Sequence, residues 1–433
     1  MSNAQAVMAD TLMLPADVAG AIVDPKVHAD LDRLHAAYSW ARAHNPLGIA
    51  QVEGFDPFWV VTKHADIMEV GRDAETYHNS DRSSVVFPKA TIDQFVAMTG
   101  KPNVSDTLIA LDGDQHRKLR GITQKWFMPA SVRQLDGRVR EIAKTFVDKM
   151  QGLGGECDFV GDVGLLYPLR VVMDIMGVPP QDEPLMLKLT QEIFAPQDPE
   201  MNRAQAEADP VEMAKQMGAI IADFARYFGA ITTDRLKNPR NDLATVLATA
   251  QIDGVPLNEG VLSSYYLIVA TAGHDTTSSS TATAMWALAN FPDLLPRLKD
   301  DLSLIPGFID EAIRWGTPVR HFMRTATKDV ELRGRKIAKG DWLMLCYGSG
   351  NRDEEVFEAP FEFRIDRKPN KHLAFGYGAH VCLGQHLGKM EMQTLFEELI
   401  PRLASVELAG PMSLSAANLV SGPKRLPLRY RFA

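Results

Sequence analysis

The sequence predicts a mainly α fold, with a large helical body and a smaller β-rich lobe. Apolar residues recur at helical spacing over long stretches, and residues 258–291 are apolar enough to form a buried helix that crosses a whole domain. Strand-like runs are short and few. With 433 residues, 45% of them hydrophobic and 23% charged, the chain can bury an extensive core.

Two helices can be delimited from local signals. Ser131 and Gln134 resemble a capping box, and apolar residues follow at helical spacing as far as Met150. A second helix is predicted to begin at Cys382 and to end before Pro401, since proline cannot continue a helix.

The 258–291 segment is unusual in its middle. Gly273 is followed closely by a run of Ser and Thr residues, which are poor choices inside a helix because their hydroxyls compete for backbone carbonyls. A solvated face is the simpler explanation, but the apolar residues from Tyr265 to Val269 leave little polar surface. We therefore expect these hydroxyls to take helix carbonyls and to open the helix locally.

The strands are predicted from alternating side chains and from flanking turn residues. They are residues 58–62, Val330–Leu332, Arg335–Ile337, Trp342–Cys346 and the alternating Leu428, Tyr430 and Phe432. Gly334 joins the second and third of these runs as a hairpin.

Charge and cysteine usage restrict the class of protein. The net charge is −9 and no basic tract is present, so neither nucleic acid nor a membrane surface is expected as a partner. The cysteines Cys157, Cys346 and Cys382 are far apart and odd in number, which fits a reducing compartment without disulfides. The first 24 residues have no basic start followed by an apolar run, so we expect no signal peptide or membrane anchor, and a cytoplasmic location.

The run from Phe375 to Gly384 is the most informative local motif. Its three glycines allow the backbone to fold tightly and to approach a flat ligand closely. Cys382, at a predicted helix N-terminus, is expected to be a thiolate, which is the form that ligates iron. The alternatives are a small core residue for Cys382 and a hydrogen-bonded histidine for His380.

The whole run, Phe-Gly-x-Gly-x-His-x-Cys-Leu-Gly, resembles the haem-binding signature of the cytochrome P-450 haem-thiolate monooxygenases, a family with a soluble bacterial class. The resemblance implies the cytochrome P-450 fold and a haem b cofactor. It also implies that Cys382 is the axial haem ligand and that Phe375 packs beside its sulfur. His380 would bind a haem propionate, and Gly384 would also lie at the haem.

Glu311 and Arg314 are three residues apart, so a helix would place both on one face, where they can form a bidentate ion pair. A surface ion pair is the simpler interpretation. In the family that the sequence resembles, such a pair locks onto a later segment, and residues 359–367 are similar to that segment. The resemblance therefore implies that both residues support the haem loop and have no catalytic duty.

The stretch Ala-Gly-His-Asp-Thr-Thr at residues 272–277 resembles the family segment that crosses the face of the haem where dioxygen binds. By this resemblance Asp275 and Thr276 are the catalytic acid and alcohol that deliver protons to dioxygen. A hydroxyl can donate and accept at once, and a carboxylate can relay protons from solvent. Members that use peroxide directly lack this arrangement, so it favours dioxygen as the oxidant, with electrons supplied from outside.

Haem propionates need cationic partners. His116 and Arg120 would share a helix face, and their segment is similar to the propionate-binding helix of the family. The resemblance implies Arg324 as a third partner of the propionates. For each of these three residues the simpler interpretation is a charge on the protein surface. Because these contacts are spread widely along the chain, we expect a single haem-binding domain over residues 1–433, with residues 1–30 as an N-terminal extension.

A group of cations flanks the motifs expected on the thiolate side of the haem. It consists of Arg117, Lys118, Lys125, Lys371 and Lys389. A solvated face is the simpler interpretation. The sharper hypothesis is that these cations form a docking patch for an acidic iron-sulfur ferredoxin, whose association is steered by opposite charge. The ferredoxin would in turn be reduced by an NAD(P)H-dependent reductase.

Several stretches are similar to a bacterial branch of the family that hydroxylates monoterpenes such as α-terpineol. They are residues 53–57, 155–159, 182–191 and 270–280. By this analogy a mostly apolar substrate pocket is lined by Phe87, Phe95, Met98, Leu108, Phe194, Ile268, Ala272, Val319, Phe322 and Val420. Such a pocket suits a compact hydrophobic substrate, and monoterpenes and alkyl-aromatic hydrocarbons such as cymene fit equally well.

Other functions fit parts of this pattern. A peroxide-driven haem-thiolate peroxygenase would need no ferredoxin. A haem sensor or carrier without turnover would need the Cys382 loop but would have no use for Asp275 and Thr276. A zinc or thiol hydrolase could use His380, Cys382 and His386, although their spacing does not match common zinc sites. No heptad repeat is evident, so a monomer is the default expectation.

Overall fold

The computed structural model describes residues 12–194, 198, 200 and 209–433. The helices that lie wholly within these ranges, α1 to α18 in chain order, are Ala16–Val23, Pro25–His28, Leu31–His44, His64–Arg72, Lys89–Thr99, Gly113–Gln124, Pro129–Arg133, Asp136–Gly152, Leu166–Met176, Glu183–Phe194, Pro210–Lys237, Leu243–Ala248, Glu259–Ala272, Asp275–Asn290, Leu294–Asp300, Ile305–Gly316, Tyr347–Gly350 and Gln385–Leu399. Short 3₁₀ or π-helical turns are Leu108–Ala110, Val160–Gly164, Pro180–Asp182, Leu302–Leu304, Gly378–His380 and Ile400–Arg402.

The strands of the described ranges are short. In chain order, β1 to β14 are Leu47–Ala50, Phe58–Val61, Tyr77–His78, Glu156–Asp158, Gln251–Ile252, Val255–Pro256, His321–Ala326, Val330–Leu332, Arg335–Ile337, Trp342–Cys346, Leu403–Leu408, Ser413–Leu414, Pro423–Arg425 and Pro427–Phe432. The predicted mainly α fold with a smaller β-rich part is therefore confirmed, and so are the predicted strands β2, β8, β9, β10 and β14.

The largest sheet has five strands in the order β1-β2-β10-β7-β3. Strand β10 is central: it pairs in parallel with β2 and antiparallel with β7, and every residue of Trp342–Cys346 is buried. A run that is apolar on both faces is expected where both faces of a sheet are covered. Helices α1 to α3 cover one face, where Val18, Ile22 and Tyr38 join Trp342 in one core cluster.

A three-stranded sheet, β11-β14-β4, joins the far end of the chain to the helical body. Leu428 and Tyr430 of β14 are buried against that body, whereas Arg429 between them is exposed. This period-two pattern made β14 predictable from the sequence. Strand β7 escaped prediction because His321–Ala326 is buried along almost its whole length and shows no such alternation.

The capping box predicted at Ser131 and Gln134 is wrong. Two helices, α7 and α8, stand where one was predicted, and Ser131 lies inside α7 without capping it. Pro129 begins α7 instead, since its fixed φ suits the first helical turn and its missing N–H is not needed there. The apolar stripe was assigned correctly, because Val139 and Val147 of α8 are buried.

Helices α13 and α14 divide the predicted long helix at Gly273 and His274. Thr276 Oγ1 donates a hydrogen bond to the carbonyl oxygen of Ala272 at 2.8 Å, so a hydroxyl takes a helix carbonyl at the break, as expected. A Cβ at position 273 would lie 2.8 Å from Cγ2 of Val172 on α9, which explains the glycine. The local opening predicted from the Ser/Thr run is thus confirmed.

Residues 12–30 pack closely on the rest of the protein. Leu14, Val18 and Ile22 are buried in the cluster beneath the five-stranded sheet, and Leu14 N–H donates to the carbonyl of Ile49 on β1. Among the described helices, none combines the length and the hydropathy that a membrane crossing requires.

Candidate active site

A large cavity lies between α6, α13, α14, α18 and the loop that precedes α18. It encloses about 1680 Å³, part of it open to solvent, and we call it the main cavity. Thirteen of the predicted site residues line it: Leu108, His116, Arg120, Ile268, Ala272, Thr276, Val319, Phe322, Phe375, His380, Cys382, Gly384 and Val420. The space exceeds what one small ligand needs, so a flat cofactor and a substrate can share it.

Cys382 lies in the wall of this cavity, in the loop before α18. Its N–H donates to the carbonyl of Phe375 at 2.8 Å, which closes the loop. Helix α18 begins at Gln385, three residues later than predicted. Apolar burial raises the pKa of the Cys382 thiol, but the N–H groups of Gly384 and Gln385 oppose this by stabilising the thiolate.

The glycines of the loop are required for steric reasons. Gly376 and Gly378 have φ values of +69° and +80°, which side chains other than glycine rarely adopt. A Cβ at position 378 would come within 1.9 Å of the carbonyl oxygen of Gly71 on α4. The loop therefore packs against α4 at a distance that only glycine allows, and this contact fixes the backbone that carries Cys382.

Glu311 and Arg314 lie on α16 and are fully buried. Arg314 donates to the carbonyl oxygens of Asn351 at 2.9 Å and Pro360 at 3.0 Å. Glu311 accepts from the N–H of Arg364 at 2.9 Å. Both residues thus hold the 351–364 segment and do not line the main cavity.

Two histidines and an aspartate form a cluster at one end of the main cavity. The rings of His116 and His380 stack with centroids 4.1 Å apart, and His380 Nε2 lies 3.7 Å from Asp112 Oδ1. Burial lowers the pKa of His116 to about 4, and the neighbouring His380 contributes to this lowering. Burial opposes charge on Asp112, but the nearby His380 ring and hydrogen bonds from the N–H groups of Ser80 and Asn79 outweigh it and lower its pKa to about 2.

The two predicted arginines differ in position. Arg120 lines the cavity and donates to the carbonyl of Val381 at 2.7 Å. Arg324 is buried in β7 and does not line it. Burial raises the pKa of Tyr347, which does line the cavity, and the nearby charge of Arg324 opposes that rise.

Asp275 and Thr276 are adjacent in sequence but reach different cavities. Thr276 lines the main cavity, whereas Asp275 lines a second cavity of about 720 Å³, part of it open to solvent. We call it the polar cavity, and its other polar lining residues are Gln191, Glu200, Ser278, Ser279, Ser415, Lys424 and Arg425. Burial raises the pKa of Asp275, and its Oδ2, 3.7 Å from His274 Nδ1, has no hydrogen-bond partner among the described residues.

A third cavity adjoins the main cavity, because Ile109, Ile268 and Leu419 line both. It encloses about 830 Å³, part of it open to solvent, and we call it the adjoining cavity. The predicted pocket residues Phe87 and Phe95 line it. The residues predicted to form the substrate pocket thus line two neighbouring spaces.

Met98 is placed differently from the prediction. It lies near the end of α5, is 44% exposed, and lines none of these three cavities. A Cβ at Gly218 of α11 would lie 2.6 Å from Met98 Cε, so Met98 covers the outer side of the contact between α5 and α11. The side chain of Phe194, at the end of α10, lies outside the described part of the structure.

Three cations of the expected docking patch already have acidic partners. Arg117 pairs with Asp114, Lys118 Nζ lies 2.6 Å from Asp253 Oδ2, and Lys389 Nζ lies 2.7 Å from Asp310 Oδ1. Lys125 and Lys371 have no ion pair with any described residue. The free positive charge of this patch is therefore smaller than its composition suggested.

Sequence reasoning missed two acidic residues at the site. Asp112 Oδ1 lies 3.7 Å from His380 Nε2, and the only local signal for Asp112 was its place just before α6. Glu391 of α18 is fully buried and lines the main cavity, and burial holds its pKa well above the usual range. It stands on the same helix stripe as Leu387 and Leu395, so an acid on an apolar stripe was the available signal.

The zinc hydrolase interpretation finds no support in the geometry. His386 is exposed on α18 and does not line the main cavity with His380 and Cys382. Within the ranges that the structure describes, no three His, Cys, Asp or Glu side chains come together as metal ligands do. A single thiol in a wide apolar cavity instead suits a cofactor that brings its own metal.

Comparisons with known proteins agree with this site. The family model described as Cytochrome P450 matches residues 58–409. The protein named cytochrome P450-terp from Pseudomonas sp. is 45% identical over 419 residues, which are 96% of this chain and 98% of that protein. A steroid C26-monooxygenase from Mycolicibacterium smegmatis is 32% identical over 86% of this chain and 83% of its own length.

Solved structures give the same result. The crystal structure of CYP108D1 from Novosphingobium aromaticivorans superposes with a TM-score of 0.90 at 42% identity, covering 97% of this chain and all of that one. CYP268A2 from Mycobacterium marinum, solved in complex with pseudoionone, has a TM-score of 0.83 at 28% identity, with 92% and 95% covered. This chain therefore belongs to the cytochrome P450 family of haem-dependent monooxygenases.

Proposed function

We propose that this protein hydroxylates a compact hydrophobic substrate, a monoterpenoid or an alkyl-aromatic compound, with dioxygen and with electrons from a ferredoxin. One observation carries the proposal: Cys382 and Thr276 line the same cavity, so a possible metal ligand and a proton-handling hydroxyl face one space. A haem carrier would not need the Thr276 hydroxyl, and a hydrolase would not need so large a cavity.

Haem b fits the residues that line the main cavity. Cys382 would hold its iron in this proposal, and binding to the metal would deprotonate the thiol. His116 Nε2 is buried without a hydrogen-bond partner among the described residues, and a propionate oxygen would satisfy it. Arg120 adds a positive charge and His380 a second imidazole at this end of the cavity, and Arg324 lies behind the wall beside Tyr347. When bound, the haem supplies the redox chemistry that activates dioxygen.

Asp275 and Thr276 are the proposed proton-transfer pair. Thr276 Oγ1 donates to the carbonyl of Ala272, which orients the hydroxyl at the cavity wall and leaves its oxygen free to accept. Asp275 has a raised pKa because it is buried, so it can hold a proton nearer to neutral pH than an exposed aspartate can. The polar cavity beside it contains Ser278 and Ser279, which suits a path from solvent.

The substrate class follows from the lining. Ile268, Val319, Phe322 and Val420 give the main cavity an apolar surface, which binds a compact hydrocarbon skeleton by burial. The similarity to the monoterpene-hydroxylating branch supports the same class. The ferredoxin would dock near Lys125 and Lys371, and such soluble partners are consistent with a cytoplasmic protein.

The absorption spectrum of the reduced protein treated with carbon monoxide tests the haem assignment. We expect a strongly red-shifted Soret band in the wild type, its loss in Cys382→Ala, and its retention in Cys157→Ala. Cys157 is a matched control because it lies in β4, outside the main cavity. A wild-type protein without this band would overturn the proposal.

Turnover then separates the monooxygenase from the peroxygenase. Cymene, limonene and α-terpineol would each be incubated with ferredoxin, its reductase and NAD(P)H, and in parallel with hydrogen peroxide alone. We expect hydroxylated product only with the electron-transfer system and dioxygen. Equal product from peroxide alone would establish the peroxygenase instead.

A further inference from the structure

His274 occupies the break between α13 and α14, yet the functions proposed for its neighbours make no use of it. It stands between Gly273 and Asp275, and its side chain has no exposed surface. It lines none of the three cavities, so it faces neither the substrate space nor the space proposed for haem. A buried imidazole needs a hydrogen-bond partner at each ring nitrogen, and the partners of His274 lie on two other parts of the fold.

The partner of His274 Nε2 is a backbone carbonyl. Nε2 lies 2.8 Å from the carbonyl oxygen of Leu165, which stands between the π-helical turn Val160–Gly164 and the start of α9. A carbonyl oxygen can only accept, so Nε2 carries a hydrogen. When the ring is neutral, Nδ1 is therefore an acceptor.

The partner of His274 Nδ1 is the Thr190 hydroxyl on α10. Thr190 is fully buried, and its Oγ1 lies 2.9 Å from Nδ1 and 3.0 Å from the carbonyl oxygen of Leu187. The Leu187 carbonyl lies inside a helix, where a backbone N–H is its regular donor. The single hydroxyl hydrogen is therefore better used at Nδ1, and this bond ties the break to α10.

The backbone alone holds this break loosely. Gly273 N–H donates to the carbonyl of Val269 at 3.4 Å and His274 N–H donates to that of Thr271 at 3.3 Å, both longer than the usual ~2.9 Å of a backbone hydrogen bond. Regular bonding resumes at Ser278, whose N–H donates to the carbonyl of His274 at 2.9 Å. Over the turn between them, the ring of His274 supplies bonds to the rest of the fold that add to these long backbone bonds.

We propose that His274 is the positioning residue of the proton-transfer pair. Its bonds to Leu165 and Thr190 fix the turn that follows it. From this turn Asp275 reaches the polar cavity and Thr276 reaches the main cavity. The role rests on the proposed monooxygenase function. His274 exchanges no proton and touches no substrate, and it acts only through the direction that it gives its neighbours, because proton transfer requires hydrogen-bond distance.

Hydrogen exchange of backbone amides tests whether the turn is fixed in this way, and it requires no turnover. Thr190→Val removes the hydroxyl and keeps the volume, so amides in the peptide that covers residues 272–278 of the haem-loaded protein should exchange about threefold faster or more. Thr190→Ser should keep the wild-type rate. Thr283→Val is the matched control, because it makes the same change on α14 at a hydroxyl already bound to the Ser279 carbonyl.

Product yield tests the consequence for the reaction. Supplied with ferredoxin, its reductase and α-terpineol, limonene or cymene, Thr190→Val and His274→Phe should form about tenfold less product per NAD(P)H, with more peroxide. Substrate dissociation constants from equilibrium dialysis should not change, because neither residue lines a cavity. His28→Phe removes another buried imidazole bound to a carbonyl, on α2, and should stay coupled.

The outcomes separate this inference from the function on which it rests. Unchanged exchange or an unchanged product yield in Thr190→Val would overturn the positioning role and leave the monooxygenase intact. A loss that Thr190→Ser shares would also overturn it, since the hydroxyl would then not be the cause. If His274→Phe fails to fold, judged by circular dichroism, the two Thr190 variants decide alone. Absence of the thiolate spectrum in the wild type would overturn the function, and the exchange rates would still decide whether the hydroxyl fixes the turn.

Discussion

The guanidinium of Arg314 forms a bidentate ion pair with the carboxylate of Glu311: Nε donates to Oε2 at 2.8 Å and Nη2 donates to Oε1 at 2.7 Å. Neither side chain has any exposed surface. Each partner also binds backbone of the 351–364 segment, so the pair fastens that segment to α16. Leu373, just before the Cys382 loop, donates its N–H to the side chain of Asn351, which continues this attachment.

Glu311→Gln should destabilise the protein by about 3–5 kcal/mol, because it leaves the buried Arg314 charge without its partner. The haem content per polypeptide should fall as well. Urea unfolding and the ratio of haem to protein absorbance measure both effects. Glu156→Gln is the matched control: it removes a carboxylate from the exposed pair with Arg429 and should cost less than about 1 kcal/mol. Equal losses in the two variants would refute the supporting role.

Thr276→Ala should divert electrons from product to peroxide. The variant keeps Cys382 and the apolar wall, so haem and substrate should bind normally, while the hydroxyl that positions the transferred proton is lost, which typically costs about a hundredfold in the protonation step. The measurement is hydrogen peroxide and product formed per NAD(P)H consumed. Thr283→Ala, which removes a similar back-bonded hydroxyl from α14 outside the main cavity, should remain coupled. Tight coupling in Thr276→Ala would remove the role assigned to this residue.

Acid should destabilise the protein through His321 and His28. His321 is buried, accepts from Val86 N–H at Nε2, and faces the carbonyl of Asn418 with Nδ1. Burial lowers its pKa to about 4 and that of His28 to about 3. Between pH ~6.5 and pH ~4 the unfolded chain therefore binds protons that the folded chain does not. Stability should fall as the pH falls through this window.

Urea unfolding at several pH values measures this slope, which should reach about 1.4 kcal/mol per pH unit for each histidine. His321→Gln should be less stable at neutral pH but should lose less stability on acidification. His44→Gln, at an exposed position on α3, should keep the wild-type slope. A wild-type stability that is flat from pH 7 to pH 4.5 would contradict the assignment.

Ferredoxin binding should weaken as salt is added. Lys125 and Lys371 have no acidic partner among the described residues, so Lys125→Glu and Lys371→Glu should each raise the dissociation constant by about threefold or more at low ionic strength. Arg117→Glu should have a smaller effect, since Asp114 already pairs with Arg117. Lys336→Glu on β9 serves as the control for a change of net charge. Binding that is insensitive to ionic strength would disprove the docking patch.

Local signals predicted much of the fold and the site, because many of their causes are local. The glycines beside Cys382 and the hydroxyl of Thr276 act within one turn of the backbone, and their spacing was visible in the sequence. The position of Met98 depends on where α11 crosses α5, which no local pattern specifies. The place of Glu391 in the cavity wall could be predicted only by knowing which stripe of α18 meets the cavity. The start of α7 depends on Pro129 and not on the Ser131 pattern, so the break between α7 and α8 was missed.

Val420 lines both the main cavity and the polar cavity. An aliphatic side chain thus forms part of the wall of both the space suited to an apolar substrate and the space that Asp275 lines. Oxidation of a C–H bond needs a dry compartment, while the reduction of dioxygen consumes protons that come from water. Val420 contributes to the wall between these two spaces, so a substitution that opens this wall would let solvent from the polar cavity into the space proposed for the substrate.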